Sequence, residues 1–188
     1  MIHVVNFSYK IPIGQYSVNT TSRSNNWSKG LSPFFVGPIE FYGGTAKNHE
    51  NLWQFSKVYS GYIDENGNPS ERYFEWASQG WNNDYAVRYP IGKGAVPLYS
   101  YWEGEKLSYI EARKRIYMPY YSEAVKKTEA WNTLVDTYKN LDSDLYLLDF
   151  DAYPHREFNM SWDDVINNES RKMGHAFVPA MMLEGVLS

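Results

Sequence analysis

Apolar residues form short runs at both ends of the chain and recur at helical spacing between them. Residues 2–7 (IHVVNF) read as a strand. Residues 8–33 are rich in Ser, Asn, Thr and Gly with few apolar anchors, and they predict a long ordered loop. Phe34-Phe35-Val36 and Ile39-Glu40-Phe41-Tyr42 are strand-like and are separated by Gly37-Pro38. Asn48 caps a helix that carries Glu50 in its first turn and runs to about Tyr59. After a turn at 64–69 (DENGNP), Ser70 caps a second helix through Trp81, and 82–104 look irregular. Ser108-x-x-Glu111 is a capping box; its helix runs to Met118, where Pro119 ends or kinks it, and 120–127 continue as helix. Thr128 caps a helix to about Lys139, and 145–150 (LYLLDF) form the strongest strand pattern. Ser161 opens a short helix, and a last one is expected over about 172–186, disturbed by Pro179. The pattern predicts a mostly helical α+β fold with a small sheet drawn from residues around 3–7, 34–41 and 145–150.

A length of 188 residues fits one domain, expected to span 1–188 with a strand and long loop over 1–33 and a core over about 34–186. A chain of this size buries roughly 70% of its unfolded surface and needs no staples. There are no cysteines, which removes disulfides, thiolate metal sites and cysteine nucleophiles together. With 18 basic and 22 acidic residues the net charge is −4, against tight non-specific nucleic-acid binding. Arg113-Lys114-Arg115, the densest basic cluster, reads as a solvated helix face. The N-terminus lacks a signal peptide's basic start and apolar run, and nothing approaches about 18 consecutive apolar residues. No membrane association and a cytoplasmic location are expected. His3, His49, His155 and His175 show no metal spacing, so no metal is expected, and no cofactor motif is present. The 7 Trp, 17 Tyr and 9 Phe are in excess, and flat rings build both cores and stacking platforms.

On a helical wheel Glu50, Gln54 and Lys57 fall at about 0°, 40° and −20°, forming one polar stripe. Leu52, Phe55 and Tyr59 lie near 200°, 140° and 180°, opposite it. A solvated Glu–Gln–Lys ladder is the ordinary reading. Trp53 and Val58, at roughly 300° and 80°, border the stripe and suit a cleft wall instead.

The segment His49-Glu50-Asn51-Leu52-Trp53-Gln54-Phe55-Ser56-Lys57-Val58-Tyr59 resembles the central motif of the NADAR (YbiA-like) superfamily. The order of flanking elements is similar too: Ser32-Pro33-Phe34 before the motif, Trp102, Arg113 and Met118 after it, then a strand ending in acidic residues at 145–151 and a terminal helix after Gly174. The resemblance covers about residues 30–185 as motif order. Where that family has a Tyr-Trp-Gly stretch after the acidic strand, Tyr153 is here followed by Pro154-His155. Either Trp162 supplies the missing ring or the pocket reads a different base. Asn25-Asn26-Trp27-Ser28 is the nearest match to the family's N-terminal Ser-Asn-Phe.

The resemblance implies an N-glycosidase acting on a small-molecule nucleotide or an ADP-ribosylated base, with nucleic acid entering only as a modified substrate. Glu50 would be the carboxylate beside the sugar, with Asp151 or Asp149 as further catalytic carboxylates. Lys57 would hold phosphate or attack C1′ as an amine. Gln54 and Trp53 would bind substrate, Trp102 and Tyr153 would stack on the base, and Arg88 and Lys93, framing residues 92–94, would hold phosphate. The alternatives are a non-catalytic protein that sequesters a nucleotide in the same pocket, and an interaction module with its aromatics on the surface.

Overall fold

A computed structural model describes residues 1–188 as an α+β chain whose elements fall into two units, Met1–Val36 with Tyr121–Ser188, and Gly37–Tyr120. In the first unit β1 (Ile2–Val5) and β2 (Tyr16–Asn19) both run parallel to a strand at residues 145–148 that lies between them. The stretch 8–33, expected as loop alone, therefore holds β2 and also a 3-10 turn, Trp27–Leu31. Only Val18 of β2 is buried, so its sequence shows no alternation. The polar side chains that read as loop satisfy local backbone: Asn19 accepts from the Thr21 N–H at 3.0 Å, and Asn26 from the Ser28 N–H at 3.0 Å. Phe34-Phe35-Val36 form a turn rather than a strand, with the Phe35 and Val36 N–H groups both donating to the Ser32 carbonyl.

The second unit opens with an antiparallel hairpin, β3 (Ile39–Phe41) and β4 (Gly44–Ala46), followed by α1 (His49–Phe55). The helix stops four residues short of Tyr59. Ser56 turns its hydroxyl onto the Trp53 carbonyl at 2.7 Å, and the Ser56 carbonyl takes the Tyr101 N–H at 2.8 Å. Lys57 and Val58 then form β5 (Lys57–Val58). After α2 (Glu71–Trp81), β5 pairs with β6 (Tyr99–Trp102), which pairs in turn with β7 (Glu105–Leu107). Residues 82–104 are thus not wholly irregular. In Tyr99-Ser100-Tyr101-Trp102, buried Ser100 and Trp102 alternate with half-buried tyrosines, a period of two concealed by uniform aromatic character.

The capping box opens α3 (Tyr109–Ala112), which passes through a π turn at Arg113–Tyr117 into α4 (Met118–Val125). Proline lacks an N–H and its ring crowds the carbonyl four residues back. A wider turn, in which the Met118 N–H reaches the Arg113 carbonyl, lets the helix pass Pro119 without ending. The chain leaves the second unit within α4.

Returning to the first unit, α5 (Glu129–Lys139) is capped by the Thr128 hydroxyl. β8 (Leu145–Leu148) is the central strand, with Leu145 and Leu147 fully buried, so its apolar run is continuous. α6 (Trp162–Ile166) follows its capping box at Ser161, and α7 (Phe177–Leu183) closes the chain. α7 is shorter than expected. Pro179 sits in its first turn, where an absent N–H costs nothing, and the preceding segment is tied down as loop by the Gly174 N–H on the Asp151 carbonyl at 3.1 Å. No helix is long and apolar enough to cross a membrane.

Gly80, in the interior of α2, lies against Phe55; a Cβ there would fall 2.1 Å from the ring. Alanine gains about 1 kcal/mol in helix propensity but meets this clash, which costs about 1–3 kcal/mol or more. Gly80→Ala is expected to lower the melting temperature by several degrees in thermal circular dichroism; an unchanged or raised melting temperature contradicts the packing of α2 on α1.

Candidate functional site

Every residue of α1 is buried, His49, Glu50, Asn51 and Gln54 included. Polar groups withdrawn from water need partners. Asn48 caps the helix by accepting the Asn51 N–H at 2.9 Å. The Gln54 Nε2–H donates to Glu50 Oε1 at 3.0 Å, and Lys57 Nζ donates to Gln54 Oε1 at 3.1 Å. A carboxylate, an amide and an ammonium are thereby joined in one row. The amide's direction follows, because its NH₂ end suits the anion and its oxygen suits the cation. Glu50 is 8% exposed and Gln54 9%, which removes the solvated-ladder reading of this stripe. Lys57 enters from β5, beyond the helix, and its Nζ lies 5.0 Å from the centre of the Trp53 ring.

The rest of α1 organises its surroundings. Asn51 Nδ2 donates to the carbonyls of Asn83 at 3.2 Å and Tyr85 at 2.9 Å, while its Oδ1 accepts the Val87 N–H at 2.8 Å. One buried side chain thus fixes the start of the long connection between α2 and β6. His49 Nε2 donates to the Tyr117 carbonyl at 2.9 Å, tying α1 to the π turn.

Arg113, expected on a solvated face, is 2% exposed, and its guanidinium lies 4.7 Å from the Tyr109 ring centre. Lys114 and Arg115 are exposed, and Arg115 pairs with Glu105 at 2.6 Å. Arg113 shares the inward face of the helix with Ala112 and Ile116, while Lys114 and Arg115 point outward, so the run of charge does not act as one face. Trp102 is 2% exposed and lies nearly parallel to Phe41 at 5.4 Å, with Tyr42 and Tyr120 edge-on to it. Its ring serves the core. Arg88 is half-buried with its guanidinium 5.3 Å from the Tyr89 ring centre, and Lys93 is exposed.

Asp149, Asp151 and Tyr153 lie in the other unit, just past the end of β8. Asp149 is 4% exposed. Its Oδ2 meets His175 Nδ1 at 3.0 Å and accepts the Ala176 N–H at 3.1 Å. His175 Nε2 reaches the Thr20 carbonyl at 2.8 Å and must donate, since a carbonyl only accepts. The other ring nitrogen faces the carboxylate, and the pair is buried. Burial alone would raise the Asp149 carboxyl, but the charge and hydrogen bond of His175, with the Ala176 and Phe150 N–H groups, outweigh it and hold the carboxyl below its ordinary range. Asp149 holds three chain segments together and is committed to that task. Asp151 is half-buried. Tyr153 is 5% exposed, with Phe177 at 5.0 Å and the Arg171 guanidinium 4.9 Å from its ring centre. His155 packs on Trp162 at 4.2 Å; burial, with Arg156 nearby, pushes it down to about 4. No cluster of potential metal ligands exists.

No family model, curated protein or solved structure matches the chain.

Of the residues singled out in the sequence, Glu50, Trp53, Gln54 and Lys57 form one connected group, while Trp102 packs in the ring cluster of the same unit. Sequence reasoning gave no role to Asn51, weighed His49 and His175 only as metal ligands, and placed Arg113 on a solvated face. His175 pairs with a carboxylate 26 positions earlier, and no local pattern marks such a pair.

Proposed function

We propose that the protein is an N-glycosidase that hydrolyses the bond between C1′ and the base nitrogen of an ADP-ribosylated or phosphoribosylated base, with Glu50 as its working carboxylate. The observation that carries this reading is the buried Glu50–Gln54–Lys57 row, found within a segment that resembles the NADAR motif. Burying a carboxylate and an amide on a seven-residue helix is costly, and ordinary amphipathic packing does not need it. Breaking the C1′–N bond builds positive charge on the sugar, which a fixed carboxylate stabilises; water adds its oxygen to C1′ and loses a proton, and the departing base nitrogen takes up a proton.

Lys57 is assigned the phosphate. Its Nζ donates to the Gln54 oxygen and lies beside the Trp53 ring, contacts that suit a fixed cation facing an anionic group. Lys57→Arg is therefore expected to keep most of the activity, and Lys57→Ala to weaken apparent substrate affinity by about 10–100-fold. Equal damage by both substitutions, with a borohydride-trapped sugar adduct on the parent protein, points instead to a covalent amine.

The direct test incubates the protein with a panel of ribosylated nucleotides and follows free base by mass spectrometry. Release of base from at least one member is expected. Retention of a nucleotide without base release by any member makes the protein a binder that sequesters its ligand.

A further inference from the structure

The second unit carries a groove of about 560 Å³ whose walls include the rings of Tyr42, Tyr73, Phe74, Trp81 and Tyr101. The volume is that of a small-molecule site. None of the residues assigned to the proposed activity lines it.

Three of these rings meet at steep angles: Tyr73 and Phe74 at 70°, Tyr73 and Tyr101 at 80°, and Phe74 and Tyr101 at 78°, with centres 5.2–6.3 Å apart. Tyr73, 1% exposed, closes the groove from below, while Tyr42 and Phe74, 53% and 47% exposed, offer aromatic surface to a ligand.

Glu103 also lines the groove and is the only charged residue that does; no lysine, arginine or histidine does so. No basic side chain pairs with its carboxylate. Its position is set by a two-residue turn between β6 and β7, where Trp102 pairs with Glu105. Glu103 has φ +49° and Gly104 φ +84°, so both turn residues occupy the left-handed region that tight hairpins require.

An aromatic groove with one carboxylate and no base repels anions. We propose that this groove binds an alkylammonium group, quaternary or fully substituted, carried by a small molecule. The ring faces take the diffuse positive charge that a methylated nitrogen spreads over its surface, and Glu103 supplies the counter-charge. A compact, strongly hydrated ammonium fits less well, because the aromatic walls cannot replace its water.

Choline and its neutral isostere 3,3-dimethyl-1-butanol differ chiefly in charge, and saturation-transfer NMR on their methyl protons compares them directly. Choline is expected to bind saturably and about tenfold tighter than the isostere. Phe74→Leu, which alters a ring that is 47% exposed, is expected to cost most of that preference, and Glu103→Gln, on the exposed turn, about threefold of it. Circular dichroism verifies that both variants are folded. Equal binding of the two probes reduces the groove to an apolar surface and overturns the proposal, as does the absence of saturable choline binding. Choline binding unchanged in both folded variants places the cation elsewhere and overturns it too. A trimethyllysine peptide that binds far more tightly than choline overturns the assignment to a small molecule.

Discussion

Glu50→Gln is expected to fold as the parent does, to keep its ligand, and to release base about 10²–10⁴-fold more slowly, the range for loss of a general acid–base group. The substitution is close to isosteric. Glutamine retains a carbonyl oxygen to accept the Gln54 Nε2–H, so the hydrogen bonds of the row from Glu50 through Gln54 to Lys57 keep their donors and acceptors. That makes the variant a test of chemistry more than of packing. The measurement is single-turnover base release alongside a binding isotherm for the same substrate. Undiminished release by Glu50→Gln would sink the catalytic assignment. Lost binding with an intact fold would move Glu50 from chemistry to recognition.

The second large effect concerns the other unit. Asp149→Asn removes the carboxylate from its buried pair with His175, and breaking a buried pair in this way costs about 3–5 kcal/mol. Urea denaturation at neutral pH should show a midpoint well below the parent's. Replacing both partners, Asp149→Asn with His175→Gln, is expected to recover part of the loss, because neither partner is then left inside without the other. The pH dependence has a definite sign. The folded-state pKa of Asp149 lies below its unfolded value, so its contribution is present above the unfolded value, about 3.9. It disappears as pH falls through the lower folded value. Stability of the parent should therefore fall on acidification below about pH 4, and the slope should be shallower in Asp149→Asn. A variant as stable as the parent, with the same acid slope, contradicts the buried pair.

Much of the local structure was readable from residue order. The capping boxes at Ser108 and Ser161, the caps at Asn48 and Thr128, and the apolar run at Leu145 each obey a rule that acts within a few residues. What escaped depends on distant partners. Lys57 and Val58 continue a helical pattern, yet Ser100 and Tyr99, more than forty positions on, draw them into a strand. Phe34-Phe35-Val36 has strand composition, but the Ser32 carbonyl gathers its N–H groups into a turn. Arg113 was misplaced because it was read together with Lys114 and Arg115 as one run of charge, although it shares the buried face of Ala112 and Ile116.

The candidate site was legible in the same uneven way. The Glu50, Gln54 and Lys57 spacing is visible in any listing of the chain, but identical spacing decorates many solvated helices. Burial of the whole of α1 changes its meaning, and burial is a property of everything packed around a helix. Asp149 was noticed as one of two alternating acids. Its commitment to His175 could not be noticed, because the loop that delivers His175 carries no pattern of its own.

The route of the chain through the two units sets an order of assembly during synthesis. Residues 37–120 form one unbroken stretch, interposed within the unit made from the two chain ends. β1 and β2 are not neighbours in their sheet; each pairs only with β8, which occupies the place between them. On the ribosome the N-terminal strands therefore emerge long before their template does. The interposed stretch has all of its own residues available first. The sheet that begins the sequence is thus among the last parts of the molecule to close, and both early strands stay without a ladder partner until Leu148 has left the exit tunnel.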